Sequence, residues 1–272
     1  MDSYTSFSYV YDTFMDQEPY EEWADRVCEY LEKYGLPRTA GADVRNTGSA
    51  VPGPVHEENI VVDLGCGTGK LTEILADRGY DMIGVDLSED MLSIAQERRI
   101  ESGRDILYTL QDMRNFELYG AAGAMVSVGD SINYLLEEKD LEDMFACVQR
   151  GLLPGGVFVF DFKTIHLYRD VIGDRTIAED RGECAFIWDN YYDAGTCINE
   201  YDLAVFVQEE GEDKGLFRRF DEVHRQRGYH PDQLRRAAEK AGLRWIDMQD
   251  TYTAADVNEE TERVTAVVKK DI

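Results

Sequence analysis

The chain has 272 residues, 43% of them hydrophobic, enough for one large domain or a domain with an appendage, and for a core that needs no covalent staples. Its 55 acidic residues against 28 basic ones leave a formal charge of −27, a surface that repels phosphate backbones within a Debye length of about 8 Å at physiological salt. A nucleic-acid substrate is therefore disfavoured, although such acidity also simply serves solubility. The cysteines Cys28, Cys66, Cys147, Cys184 and Cys197 form no CxxC and no zinc spacing with histidine, so no metal is expected and a reducing cytoplasm is the natural compartment. Cys184 and Cys197 either face each other across a hairpin or are two small buried thiols. The N-terminal "MDSYTSFSYV" has no basic patch or apolar core, and no run approaches about 20 apolar residues, so neither secretion nor membrane insertion is predicted.

In chain order, "YEEWADRVCEYLEKY" sets Trp23, Val27, Tyr30 and Leu31 on one helical stripe over Tyr20 to Tyr34, closed by Gly35 and Pro37. "RTAGADVRNTGSAVPGPVHEEN" has neither period and reads as a loop inserted over Arg38 to Asn59. Apolar and amphipathic runs then alternate. They predict strands at Ile60 to Leu64, Asp81 to Asp86, Ile106 to Leu110, Ala124 to Val128 and Gly156 to Phe162, with helices at Lys70 to Arg78, Glu89 to Ile100 and Leu141 to Leu152. Such alternation makes a parallel sheet with right-handed crossovers and helices on both faces. From Thr176 to Arg227 the pattern becomes short alternating segments with Asp/Gly turns, predicting antiparallel strands. "HPDQLRRAAEKAG" follows as a helix, with Pro231 near its first turn and Gly242 past its end; "LRWIDMQDTYT" and "ERVTAVVKK" close the sheet antiparallel.

The chemistry centres on "VVDLGCGTGK", Val61 to Lys70. A P-loop, GxxxxGK[ST], would need glycine at Leu64 and a hydroxyl at Leu71, and fails twice. The dinucleotide fingerprint GxGxxG survives only weakened, because Gly65, Gly67 and Gly69 are spaced GxGxG; a plain strand-to-helix connection is the bland alternative. Asp86 ends the second strand about 20 residues on, where a carboxylate accepts both hydroxyls of a ribose, pointing to an adenosine-bearing ligand. Asp112 in "QDM" sits at the same edge, able to accept from an adenine amino group while Met113 packs near the ring; alone it reads as an ordinary turn acid.

Together, "VVDLGCGTGKLT", "VDLSEDML", "QDMRNF", "DSINYL" and "LLPGGVFVFDF" resemble the class I S-adenosylmethionine-dependent methyltransferases, over most of the chain from Tyr11 to about Lys269. "YVYDTFMDQEPYEEW" with "QDMRNF" is similar to small-molecule members related to the sugar-nucleotide amine N-methyltransferases and to unassigned bacterial homologues. The resemblance implies a Rossmann-like α/β fold: a seven-stranded sheet with the last strand antiparallel and helices on both faces. To this the inserted antiparallel β segment is added, giving three parts: an N-terminal helical segment and loop over 1–58, the cofactor-binding core over 59–165 and 229–272, and an inserted lid or dimerisation segment over 166–228. It further implies that Gly65, Cys66 and Gly67 line the methionine portion of the cofactor while Asp63 braces the turn. Asp86 would take the ribose with Leu87 against the adenine, Asp112 and Met113 would cover the adenine edge, and Val128 and Gly129 would pass under the sulfonium. Tyr11 matches a tyrosine that reaches the amino-acid end; a core-packing tyrosine is the competing account.

Read this way, the turn cradles a zwitterionic amino-acid tail, for which helix N-terminal N–H groups and residues without Cβ are suited. Transfer of the methyl group leaves S-adenosylhomocysteine and needs chiefly a lone pair held in line, a positioning task worth about 7 to 11 kcal/mol in favourable geometry. Acceptor contacts are expected from Asp130, Asn133 and Tyr134, from Asp161 and Lys163, and from His224 and Arg225. His224 or Asp161 would serve as base where the acceptor arrives protonated, His224 alternating with Glu222 and Gln226 along its strand. The favoured reading is methylation of nitrogen or oxygen on a small molecule, without nucleic acid or membrane partner and with a homodimer available through the inserted segment. The alternatives are a methyltransferase for RNA or protein, disfavoured by the lack of basic clustering and of an "NPPY"-type motif, and a non-catalytic cofactor-binding protein.

Overall fold

The computed structural model describes residues 8–14, 19–37, 56–209 and 215–272. The loop read over Arg38 to Asn59 lies outside the described residues as far as 55, and its end forms a 3-10 turn, Glu57–Asn59. Two helices come first, α1 (Ser8–Phe14) and α2 (Tyr20–Tyr34). The core follows as β1 (Ile60–Leu64), α3 (Lys70–Asp77), β2 (Asp81–Asp86), α4 (Glu89–Ser102), β3 (Leu107–Leu110), β4 (Ala122–Ser127), α5 (Glu138–Gly151) and β5 (Leu152–Lys163). After the antiparallel strands β6 (Thr176–Asp180), β7 (Cys184–Asp193), β8 (Ile198–Gln208) and β9 (Phe217–Arg227), the chain returns through α6 (Pro231–Lys240), β10 (Leu243–Asp250) and β11 (Arg263–Lys270).

The main sheet has seven strands in the order β10-β11-β5-β4-β1-β2-β3, with β11 antiparallel to both neighbours and the remaining pairs parallel. This is the expected α/β architecture. β5 shows why it is buried on both faces: Phe158, Phe160 and Phe162 alternate with Val157 and Val159, so one strand feeds two cores. On the phenylalanine side lie α5, through Leu141, Met144, Phe145 and Val148, and α6, through Leu234 and Ala238. On the valine side lie α2, through Ala24, Val27 and Leu31, with α3 and α4 beyond. Truncating one of these fully buried phenylalanines to alanine costs about 3–5 kcal/mol, because the rigid sheet cannot close the cavity.

Element boundaries moved where local hydrogen bonds extended a periodic run. α5 starts three residues before its apolar stripe because Glu137 and Asp140 form a capping box. β5 begins at Leu152, ahead of its hydrophobic run, with a register shift opposite Ala122/Ala124 where Gly155 takes φ 82°. α1 and a π-helical turn at Leu167–Ile172 have too few residues for a period to declare itself.

The second sheet is a four-stranded meander, β6-β7-β8-β9, inserted between β5 and α6. Cys184 and Cys197 do not face each other: Cys184 pairs with Val207, while Cys197 sits in the turn at the other end of β7 and β8, half-buried, at φ 59°. The insertion leaves and rejoins the core at one stitch. Asn133, fully buried, donates from Nδ2 to the carbonyls of Lys163 (2.9 Å) and Arg227 (2.7 Å) and accepts from the Lys163 N–H at 2.8 Å. That use of its amide replaces the acceptor contact expected of Asn133.

Candidate active site

The parallel strands end on one edge, and the glycine turn after β1 folds back over it. The N–H groups of Gly65 and Cys66 donate to Val85 O at 2.7 and 3.1 Å, pinning the turn to the end of β2. Gly65 (φ 75°) runs so close to Ser131 that a Cβ would lie 2.5 Å from that side chain, and Ser131 Oγ donates to Gly65 O at 3.1 Å. Gly67 (φ 54°) is different: a Cβ there would meet no atom of the described residues within 4 Å. The first glycine makes room for protein, the second leaves room for something else.

Asp63 lies beneath, 1% exposed, with Oδ2 accepting from Thr72 Oγ1 at 2.7 Å and Oδ1 without a partner among the described residues. Burial, with the charge of Asp86 adding, lifts its carboxyl to about 7 against the Thr72 hydrogen bond. Asp86 accepts from the Gly67 N–H on one oxygen and the Ser88 N–H on the other, both at 2.8 Å, while Ser88 caps α4. Burial raises its carboxyl too, opposed by those backbone bonds. Leu87 beside it is 65% exposed on the site rim. Asp112 is gripped by Arg114, whose Nε reaches its two oxygens at 3.0 and 3.1 Å, and this holds its carboxyl below the usual range. Met113 reaches inward to the Gly65 position.

A small cavity brings together Gly65, Cys66, Gly67 and Tyr11, expected around the cofactor's amino-acid portion, Asp63, expected to brace the turn, and Val128 and Gly129, expected under the sulfonium. Tyr20, Lys70 and Ser131, not expected there, line it as well; Lys70 Nζ stands 4.5 Å over the Tyr20 ring. Burial, then Tyr20 and Asp130, pushes the Tyr11 phenol well up. α1 is held over the turn by Asp12, which accepts from Thr68 Oγ1 at 2.9 Å and pairs with Arg98 of α4.

Beyond Gly129 the acceptor side begins with a buried ion cluster. Asp161, 1% exposed, accepts from the N–H groups of Gly129 (3.1 Å) and Asp130 (2.9 Å) and from Arg263 Nη1 (3.1 Å). Asp130, in the left-handed region at φ 57°, is bonded by Arg263, by Lys163 at 2.9 Å and by Gln226 at 2.7 Å. Burial alone would raise Asp130; Lys163 and Arg263 reverse it, leaving the carboxyl below its ordinary value. Asp161 thus holds the loop over 129–131, and burial raises its carboxyl against Arg263 and those backbone bonds. Tyr134 and His224 are brought together, Oη to Nδ1 at 3.2 Å. Arg225 is not among them: it points to the other face of β9 and pairs with Glu200. Arg263 was not read from the sequence. Its partners are more than 100 residues away, and nothing local marks a strand arginine as buried.

Asp63 Oδ1 and the space over Gly67 fit a ligand that brings an ammonium to the first and a compact tail to the second, as the amino-acid end of S-adenosylmethionine does. Comparison with known proteins agrees. Residues 61–156 match the "Methyltransferase domain" family. The chain is 32% identical to "Putative methyltransferase GWCH70_2453" of Geobacillus sp. (strain WCH70), across 98% of this chain and 100% of that protein. It is also 32% identical to the dTDP-3-amino-3,4,6-trideoxy-alpha-D-glucopyranose N,N-dimethyltransferase of Streptomyces venezuelae, over 47% of this chain and 52% of that one. Among solved structures, an S-adenosylmethionine-dependent methyltransferase from Clostridium acetobutylicum superposes with a TM-score of 0.81, at 27% identity and full coverage of both chains.

Proposed function

Because this chain belongs to the S-adenosylmethionine-dependent methyltransferases, we propose that it methylates nitrogen or oxygen of a small-molecule acceptor, the cofactor lying along the edge from Asp63 to Met113. The observation that carries the reading is the buried Oδ1 of Asp63 beneath the glycine turn, without a partner among the described residues and suited to an ammonium. Asp86 takes the ribose hydroxyls, Leu87 lies against the adenine, Asp112 and Met113 cover its edge, and Gly65, Cys66, Gly67 and Tyr11 surround the amino-acid tail. Val128 and Gly129 pass beneath the reacting centre.

Bound S-adenosylmethionine supplies a methyl group on a positively charged sulfur that departs as a neutral thioether. The chain's own residues then position the acceptor and receive its proton. Asp161 and Arg263 fix the loop over 129–131, and Tyr134 and His224 are left to handle the proton. The sheet over 166–228 covers the acceptor side, tied at Asn133, and serves as a lid or as a surface for a second copy. A small molecule suits the similarity to an amino-sugar N,N-dimethyltransferase and a surface of −27 formal charge. Among the described residues no helix is long and apolar enough to cross a membrane.

The test is incubation of the purified protein and methyl-labelled S-adenosylmethionine with separated metabolite, RNA and protein fractions of cells. Label in the metabolite fraction, with S-adenosylhomocysteine accumulating, is the expected result; label in RNA or protein would overturn the substrate class.

A further inference from the structure

Past the end of β3 the chain runs along the cofactor edge. The Gln111 N–H donates to Asp86 O at 3.0 Å, which ties the strand end beside the carboxylate read as the ribose acceptor. Met113 turns inward, its Cε 3.2 Å from where a Cβ on Gly65 would lie. Asp112 and Arg114, on either side of Met113, grip each other. Three donors reach the Asp112 carboxylate, all from Arg114: the backbone N–H at 2.9 Å to Oδ1, Nε shared between Oδ1 and Oδ2 at 3.0 and 3.1 Å, and Nη2 at 2.6 Å to Oδ2. A carboxylate offers about four acceptor positions, and no fourth donor from the described residues reaches this one.

An aspartate bonded to the N–H two residues on is by itself an ordinary turn. The far side of the guanidinium sets this pair apart. Its Nη1 donates to Asp140 Oδ1 of α5 at 3.0 Å, and the other oxygen of Asp140 accepts from the Glu137 N–H to close the helix cap. The Arg114 carbonyl accepts from Cys147 Sγ of the same helix at 3.2 Å. Side chain and backbone are thus both fastened to α5, which packs into the core through Leu141, Met144, Phe145 and Val148. A planar fork held at two edges keeps the carboxylate against it in one plane, although the last torsion of an aspartate is otherwise soft.

We propose that Arg114 is a positioning residue for nucleobase selection: it holds Asp112 as a fixed, ionised acceptor with one position left, so that the site takes a purine with an amino group there and rejects one with a carbonyl. The inference rests on the reading that Asp112 meets the adenine edge. An amino N–H supplies the one donor this carboxylate lacks. A carbonyl oxygen in its place loses that bond and sets a second acceptor against a negative charge. A protonated carboxyl would tolerate both purines, because it donates as well as accepts; the Arg114 hydrogen bonds hold the Asp112 carboxyl below the usual range and close that route. Without Arg114 the carboxylate turns and keeps its own water, and it meets neither purine in a set geometry.

Calorimetry with S-adenosylhomocysteine and its 6-oxo analogue S-inosylhomocysteine reads the selection as a ratio of two affinities on one protein, in which a general loss of grip on the rest of the ligand cancels. The unaltered protein should prefer the amino ligand by roughly 10- to 100-fold, the range of one hydrogen bond to a charged group. Arg114→Gln should bring the ratio to within about threefold. Arg114→Lys keeps the charge without the fork and should give an intermediate ratio, which decides the matter if Arg114→Gln does not fold. Added to Asp112→Ala, Arg114→Gln should lower the ratio no further, since the arginine acts through the aspartate. An unchanged or larger ratio in the Arg114 variants would overturn the proposal and leave Asp112 at the adenine; a further fall in the double variant would also overturn it. Equal affinities in the unaltered protein would remove Asp112 from the adenine edge and this inference with it, and binding of neither ligand would remove the cofactor reading beneath both.

Discussion

Asp63 is a carboxylate that is costly to keep charged until a ligand arrives. Its carboxyl stands at about 7 against an ordinary 3.8, so between those values the folded protein binds a proton that the unfolded chain does not. Stability from this group therefore decreases as pH rises from about 4 to 7. The cost is complete above 7, about 4 kcal/mol at roughly 1.4 kcal/mol per pH unit. A bound ammonium reverses that cost, so cofactor affinity should fall as pH drops below 7, by up to about tenfold per unit, with proton release on binding. Calorimetry from pH 5.5 to 8.5 reads it, and Asp63→Asn should flatten the profile; a profile that stays steep in the variant would place the titrating group elsewhere. Asp86 and Asp112 differ in how much each has to lose. Asp86 holds the turn through Gly67 and Ser88; in the proposed reading it also accepts both ribose hydroxyls, so Asp86→Ala should forfeit two charge-assisted bonds of roughly 1.5–3 kcal/mol each and weaken binding at least 100-fold. Asp112 is already neutralised by Arg114, and Asp112→Ala should cost under about tenfold. Equal losses in the two variants would refute the assignment of the ribose to Asp86.

At the scale of elements, the loop over 129–134 is held by strands that never neighbour it in sequence. Arg263 on β11 bonds Asp161 on β5 and Asp130 in the loop, and its guanidinium stands 5.3 Å over the Trp23 ring of α2. Removing one member leaves two buried carboxylates facing each other. Arg263→Leu should destabilise the fold by about 3–5 kcal/mol, measured by urea unfolding, whereas an exposed pair such as Arg218–Glu209 is worth under about 1 kcal/mol. A loss as small as the exposed pair's would mean the cluster relaxes into water. The same contrast explains what the sequence could reveal. β1 and β2 match their predicted bounds because each is a strand-length apolar run bounded on one side by a glycine turn, at Gly65 and Gly79. The inward face of β9 was legible as the alternation of Glu222, His224 and Gln226, while the contacts of His224 with Tyr134 and of Gln226 with Asp130 were not, since they require the inserted sheet to fold back over the 3-10 turn. Asn133 looked like an acceptor contact for the same reason: a polar residue at a strand end is ambiguous until the chains it stitches are in place.

For the whole molecule the largest quantity legible from composition is the charge of −27, and its energetic sign is open because attraction and repulsion coexist on the surface. Ion pairs such as Arg78 with Glu21 and Lys240 with Glu142 are exposed on at least one side, so each contributes under about 1 kcal/mol and is screened by salt. Against them stands the repulsion among an excess of carboxylates, which acts over longer distances and is relieved when the compact state expands. At about 0.01 M ionic strength charges interact over roughly 30 Å, across the whole protein; at 0.1 M the range is about 10 Å and near 1 M about 3 Å. Screening therefore removes long-range repulsion first and short-range pairing last. The melting temperature should rise by several degrees as sodium chloride goes from 10 to about 300 mM and then flatten. A decrease over that range would mean that local pairing outweighs the net charge, and that the acidic surface is organised around its basic residues.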